Sequence, residues 1–300
     1  MTYGPRSGPA KLLTSGRKQL LFGLSVLGHE RGLLPAELAR EAEARGFASL
    51  WFADHSHIPV KRETPWGGGP ELPDAYKAIM DPLVCMAAAA TATTRLRVGT
   101  GVALVVERDP IQFGKAIATL DVISGGRVDV GVGGGWNLEE MRNHGTDPAT
   151  RWRLMRERIE AMKALWTTDP AEYHGQLVDF DPVWCRPKPV QRPHPPIHVG
   201  GAAPGAYRRA LRYGDGWIPI HGRGDDDYVR HLPVLRQEAE AMGRSLDGFE
   251  VTVFASPEDE RLLAGYREAG IDRVLFAVPP DDRDAALQAL DRFAKLTRSI

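Results

Sequence analysis

Ala48-Ser-Leu-Trp-Phe-Ala53-Asp54-His55 is the stretch on which the fold reading turns. Six small, apolar or aromatic residues make a strand of ordinary length, and a charged pair closes it without a turn back into a hairpin. The segment before it, Pro35 to Arg45, carries a helical stripe: Pro35 suits the first turn, Leu38, Ala42 and Arg45 follow at helical spacing, and Gly46 is a stop. After it, Asp81-Pro82 supplies a cap and first-turn proline for an Ala-rich helix through Ala92. A strand with helices on both sides in sequence is the βαβ pattern of a parallel sheet.

The same unit repeats along the chain. Strands are predicted at Leu20 to Leu27, Ala48 to Ala53, Leu96 to Leu104, Val128 to Val132, Ile197 to Val199, Trp217 to Ile220, Phe249 to Ala255 and Val274 to Val278. Helices are predicted at 110–123, 151–166, 204–213, 226–242, 258–269 and 283–295; in the second of these Met155, Ile159, Met162 and Trp166 recur at four, three and four residues. Residues 168–196, rich in proline and aromatics, break the alternation. The predicted class is α/β: a TIM-like (β/α)8 barrel over 19–300 with an inserted irregular segment near 168–196, preceded by a flexible extension at 1–18. A doubly wound open sheet is the alternative, but no GxGxxG follows the first strand.

Composition bounds the function. The 38 Lys plus Arg nearly cancel the 39 Asp plus Glu, so no global field favours nucleic acid or an anionic membrane. No apolar run reaches the roughly 20 residues of a membrane span, and residues 1–18 lack the apolar core of a secretion signal, so cytoplasmic residence is the expectation. Cys85 and Cys185 stand too far apart for a local metal motif. His194, His198 and His221 offer no defined ligand geometry, and the expectation is that no metal is held. A GxSxG elbow and a P-loop are both missing.

A barrel places its catalytic groups after the strands. Asp54-His55, Thr100-Gly101, Gly133 to Trp136 and Gly200-Gly201 all stand there. His55 is the leading proton-handling group, because imidazole titrates near neutrality. The glycines of Gly133-Gly134-Gly135 allow a close approach of backbone and ligand. Trp136 is expected to line the tunnel, with Asn137, Glu140 and His57 as further substrate contacts. Gly200-Gly201, before a helix whose first turn includes Pro204, suits a phosphate. Lys61 and Arg62 read either as an entry for an anionic tail or as a solvated patch.

Several motifs taken together resemble the luciferase-like oxidoreductases, particularly their F420-associated branch: Phe52-Ala-Asp-His55, Val98-Gly-Thr-Gly-Val102, Leu120 to Arg127, Val132 to Glu140, Pro195 to Gly201 and Tyr213 to Trp217. The resemblance implies deazaflavin F420 as cofactor, with FMN as alternative, and hydride transfer to or from a small organic substrate. It implies cofactor contacts at Asp54, Thr100, Gly101, Val102, Gly133, Gly134, Gly200 and Gly201, a cis peptide at Gly101-Val102, and a cofactor phosphate at Gly200-Gly201. A homodimer and a separate cofactor-reducing enzyme are the implied partners. FMN-dependent monooxygenation and a non-enzymatic ligand-binding barrel are the competing functions.

Overall fold

The computed structural model describes residues 19–224 and 227–300; the extension predicted at 1–18 lies outside the described residues. Eight parallel strands close into a barrel: β1 (Leu21–Val26), β2 (Ser49–Phe52), β3 (Arg97–Leu104), β4 (Val128–Gly133), β7 (Ile197–Gly200), β8 (Gly216–Ile218), β9 (Glu250–Val253) and β10 (Arg273–Ala277), which pairs with β1 again. Closure is explicit in the register: β1 matches Gly23 to Ser49 of β2 on one side and Leu21 to Arg273 of β10 on the other. The open-sheet alternative is thereby excluded. Crossover helices cover the outside, and their apolar stripes bury the outward-facing residues of the strands.

Helices α1 (Pro35–Ala44), α2 (Pro82–Ala92), α3 (Pro110–Ser124), α5 (Arg151–Thr167), α6 (Gly205–Tyr213), α7 (Tyr228–Ala241), α8 (Glu260–Ala269) and α9 (Arg283–Thr297) stand close to their predicted places. The caps explain why. Asp81 accepts the backbone N–H groups of Leu83 and Val84, Asp109 that of Gln112, and Asp282 that of Ala285, each cap stabilising by about 1 kcal/mol. Gly125, at φ 69°, takes the left-handed position that ends α3.

Two expectations are corrected. The segment near 168–196 is not wholly irregular: β5 (Ala171–His174) and β6 (Asp179–Val183) form an antiparallel hairpin outside the barrel, leaving β4 to pair with β7. Its hydrogen bonds are satisfied locally while its exposed positions lack a clean alternation, so no period of two shows in the sequence. The second is α4 (Leu138–Asn143), a helix absent from the sequence reading. Its six residues are too few for a helical period, and it exists because Asn137 caps it.

Strand β3 is irregular at the position that matters. Its register against β4 shifts between Thr100 and Ala103, and the Gly101–Val102 peptide is cis. Thr100 Oγ donates to Gly131 O at 2.6 Å, which ties the two strands just before the bulge. Val102 is thereby turned toward the barrel mouth.

Candidate active site

At the C-terminal ends of the strands lies a cavity of about 420 Å³, walled by His55, Trp136, Tyr76, Val102, Phe254 and Arg223 among others. That size suits a flavin-like ring. Most of its surface is apolar, so the few polar groups that reach it decide its chemistry.

His55 enters from the end of β2 and is almost fully buried. Trp136 Nε1–H donates to His55 Nε2 at 3.2 Å. An indole can only donate, so Nε2 carries the lone pair and the ring proton sits on Nδ1. That proton is donated to Glu140 Oε2 at 2.7 Å. Glu140 is fully buried on α4, and its other oxygen accepts Ser56 N–H at 3.0 Å. The result is an imidazole whose orientation and tautomer are held by a buried carboxyl while its basic nitrogen faces the cavity.

Asp54 is used differently. Arg108 grips it bidentately, Nε to Oδ2 at 2.8 Å and Nη2 to Oδ1 at 2.7 Å, and Leu104 N–H donates to Oδ2 at 2.9 Å. Both oxygens are engaged, so Asp54 lines the cavity as one half of an ion pair that pins the β3 exit to β2. Glu107 stands beside it, its Oε1 buried without a donor. Burial, then the Glu140 and Asp54 charges, push Glu107 up to about 9.

The glycines expected to admit a ligand instead admit side chains. A Cβ on Gly133 would stand 2.7 Å from Val102 Cγ2, and one on Gly200 3.0 Å from Val102 Cγ1. Together they form the seat on which Val102 rests beneath the cavity. Gly134 makes room for Trp152, whose Cζ3 would meet its Cβ at 2.5 Å. Gly201 N–H donates to Ile218 O at 3.0 Å, and Gly201 O accepts from Trp217 Nε1 at 2.9 Å. Its own backbone is therefore spent on the barrel, and the positive charge at this junction comes from elsewhere: the Arg209 and Arg151 guanidiniums lie 3.9 Å and 4.7 Å from the Trp152 ring centre.

Three expected substrate contacts stand outside the cavity lining: Asn137, Glu140 and His57. Asn137 is the buried cap of α4, Glu140 acts through His55, and His57 is an exposed ring whose Nε2 lies 2.8 Å from Asn143 Nδ2. Arg62 covers the Trp136 ring at 5.5 Å, while Arg223 covers Trp66 at 5.3 Å. Sequence reading missed Glu107, Arg108 and Tyr76. The charged run Glu107-Arg108-Asp109 directly after β3 was the available signal for two of them. Of the three histidines weighed for metal, His221 lines the cavity, His198 is buried edge-on to Trp51 and His194 packs by Trp166.

Comparison with known proteins agrees with this architecture. An uncharacterized Mycobacterium tuberculosis protein is 42% identical over 279 residues, covering 91% of this chain and 97% of that one. The F420-dependent glucose-6-phosphate dehydrogenase of Kineococcus radiotolerans is 31% identical over 226 residues, covering 73% of this chain and 61% of that protein. Among solved structures, an F420-dependent secondary alcohol dehydrogenase bound to an F420-acetone adduct superposes with a TM-score of 0.73 at 18% identity, covering 93% of this chain and 98% of the other. A monooxygenase from Streptomyces bottropensis gives a TM-score of 0.74 at 21% identity, covering 92% and 98%. Both likenesses concern the fold. The sequence model of the luciferase-like monooxygenase family matches residues 35–286, and the chain belongs to that family.

Proposed function

We propose that this protein is an F420-linked oxidoreductase that moves hydride between the deazaflavin and a small organic substrate. The observation that carries the reading is His55, held by Glu140 in the tautomer that leaves Nε2 basic at the cavity wall. Relatives named as F420-dependent dehydrogenases support the choice of cofactor.

The residues present fit such a cofactor. Val102, raised on Gly133 and Gly200, offers an apolar shelf under a flat ring, and Phe254 faces the same cavity. Arg209 and Arg151, together with the first turn of α6, would take its phosphate, two guanidiniums adding to the helix dipole. F420 supplies a ring carbon that gives or takes hydride. The protein's part is to hold the substrate against that face and to move one proton. His55 Nε2 accepts the hydroxyl proton of an alcohol-like donor, or returns it when a carbonyl-like acceptor is reduced. Trp136 must release Nε2 for this, and its indole then becomes a donor to the substrate oxygen. The apolar walls exclude water from the exchange.

Competition of F420 and FMN for the purified protein is the deciding measurement. Saturable F420 binding that FMN does not displace is the expected result; tight FMN binding with no F420 binding would reassign the site to flavin-dependent oxygenation. We also infer assembly as a homodimer. Val84 on α2 and Val122 and Ile123 on α3 are apolar and exposed, as a helix-to-helix contact between copies requires. Sedimentation over a wide concentration range should give two copies per particle. Among the described residues no helix is long and apolar enough to cross a membrane.

A further inference from the structure

Beneath His55 the buried polar groups continue past the residues the proposed chemistry needs. Glu140 is fully buried and the Glu107 side chain retains only 3% of its exposure, with His144 Nε2 4.0 Å from its Oε2. A carboxyl so enclosed, with the Glu140 and Asp54 charges beside it, is favoured in its protonated form. Nothing among the described residues donates an N–H or O–H to Glu107 Oε1. The groups facing Glu107 are Glu140 of α4, Asp54 after β2, its neighbour Arg108, Arg158 of α5 and His144 after α4. Arg108 is committed to Asp54 and Asp81, and Arg158 donates to Val105 O, so neither replaces the missing donor.

From this pair a path leads to the surface. Ser56 Oγ lies 3.4 Å from Glu140 Oε1 and 2.6 Å from His144 Nε2, and the His144 side chain keeps 30% of its exposure. His144 Nε2 is also 4.0 Å from Glu107 Oε2. Burial first, and then His57, lower the His144 basicity, which suits a group that passes a proton on rather than keeping it.

We propose that the orphaned Glu107 carboxyl keeps a proton beside Glu140, and that Glu140, Ser56 and His144 form a relay that exchanges protons between His55 in the cavity and solvent. This rests on the reading of His55 as the proton-handling group. For each substrate O–H broken, one proton enters at His55 Nε2 and one leaves Nδ1 for Glu140 Oε2. One then leaves Glu140 by Ser56 Oγ and His144 for water, so the protein's charge is unchanged and His55 is left as the Nε2–H tautomer, the donor that the reducing direction needs. In the reducing direction every transfer reverses. The relay explains why a site walled against water buries two like-charged groups: they are its route for the one species that must cross the wall.

The test needs no substrate. Infrared spectra of the whole protein with ¹³C-labelled glutamate should show the C=O stretch of a protonated carboxylic acid at pH 7. That band should fade as pH rises through about 9, and Glu107→Gln, neutral and of the same shape, should remove it. Ser56→Ala should leave the band in place while slowing exchange of the His55 Nδ1 proton with water, followed by NMR, roughly tenfold. Absence of the band at pH 7 overturns the protonated Glu107, a result the wild-type titration delivers even if the Gln variant fails to fold. A band with unchanged exchange in Ser56→Ala overturns the route. Failure to bind F420 would overturn the proposed function and leave both of these readings standing.

Discussion

The two ends of the barrel interior both bury charge, and they do so by opposite rules. At the floor, where the strands begin, Asp129 is fully enclosed between guanidiniums: Arg97 Nη2 at 2.6 Å and Arg273 Nη1 at 3.4 Å, with Glu250 answering Arg273 at 3.2 Å. Opposite charges alternate, and Trp51 lies under Arg273 at 5.4 Å. The Arg97 and Arg273 charges overcome desolvation and hold Asp129 well below the usual carboxylate range. At the mouth, where the strands end, Asp54 has its cation in Arg108, but Glu107 and Glu140 meet as like groups, and Glu107 is driven up. A floor need only hold the barrel shut, so its charges are paired. The mouth, where the proposed proton transfer takes place, keeps a pair that repels unless protonated.

The comparison breaks most visibly at Asp129. Asp129→Asn removes the carboxylate that the buried Arg273 and the part-exposed Arg97 share, so unfolding by urea should show a loss of about 3–5 kcal/mol, as for other broken buried pairs. A loss under 1 kcal/mol would mean that the floor is not held by its charges.

At the mouth the expected damage falls on turnover instead. His55→Ala should lower hydride-transfer turnover about 10²–10⁴-fold, the usual span for a general acid or base, with F420 binding little changed. Single-turnover reduction beside fluorescence binding separates the outcomes; lost binding with a normal saturated rate would recast His55 as a cofactor contact.

Gly133→Ala probes the seat between these regions. Its Cβ, 2.7 Å from Val102 Cγ2, has to push Val102 upward. The overpacking should cost about 1–3 kcal/mol in stability, and F420 affinity should fall with it. Unchanged affinity measured by fluorescence would show that Val102 is not the cofactor's shelf.

Acid and base should distinguish the two ends. Asp129 has its folded pKa lowered, so its contribution is present above the ordinary carboxyl range and is lost as pH falls below it. Glu107 has its folded pKa raised, so its contribution is present below the ordinary carboxyl range and is lost as pH rises toward about 9. The slope for one such proton is at most about 1.4 kcal/mol per pH unit. Thermal melts from about pH 2 to about pH 9 should therefore show Glu107→Gln flattening the alkaline limb alone, and Asp129→Asn the acid limb alone.

How much of this was legible beforehand differs by scale. The order of strands and helices was written in short-range chemistry: apolar runs of strand length, the Asp-Pro cap at 81–82 and the glycine stop at 46 all act within a few residues. The positions after the strands were legible too, because a closed parallel sheet sends every strand's end to one face. That is why His55, Asp54 and Trp136 lie at the cavity. The motifs that resemble the luciferase-like family carried the cofactor expectation and placed the cis peptide at Gly101–Val102.

What each of those residues does was decided by partners far away in the chain. Glu140 meets His55 across 85 positions, Arg108 meets Asp54 across 54, and Val102 needs Gly133 and Gly200 together. No local pattern records such meetings, so Glu140 read as a substrate contact and the glycines as room for a ligand. Propensities and caps are properties of neighbouring residues, and the sequence by itself determined the elements and their alternation. The tautomer of His55, the burial of Glu107 beside Glu140 and the seat of Val102 depend on burial and on distances across strands, and only the closed barrel supplies those.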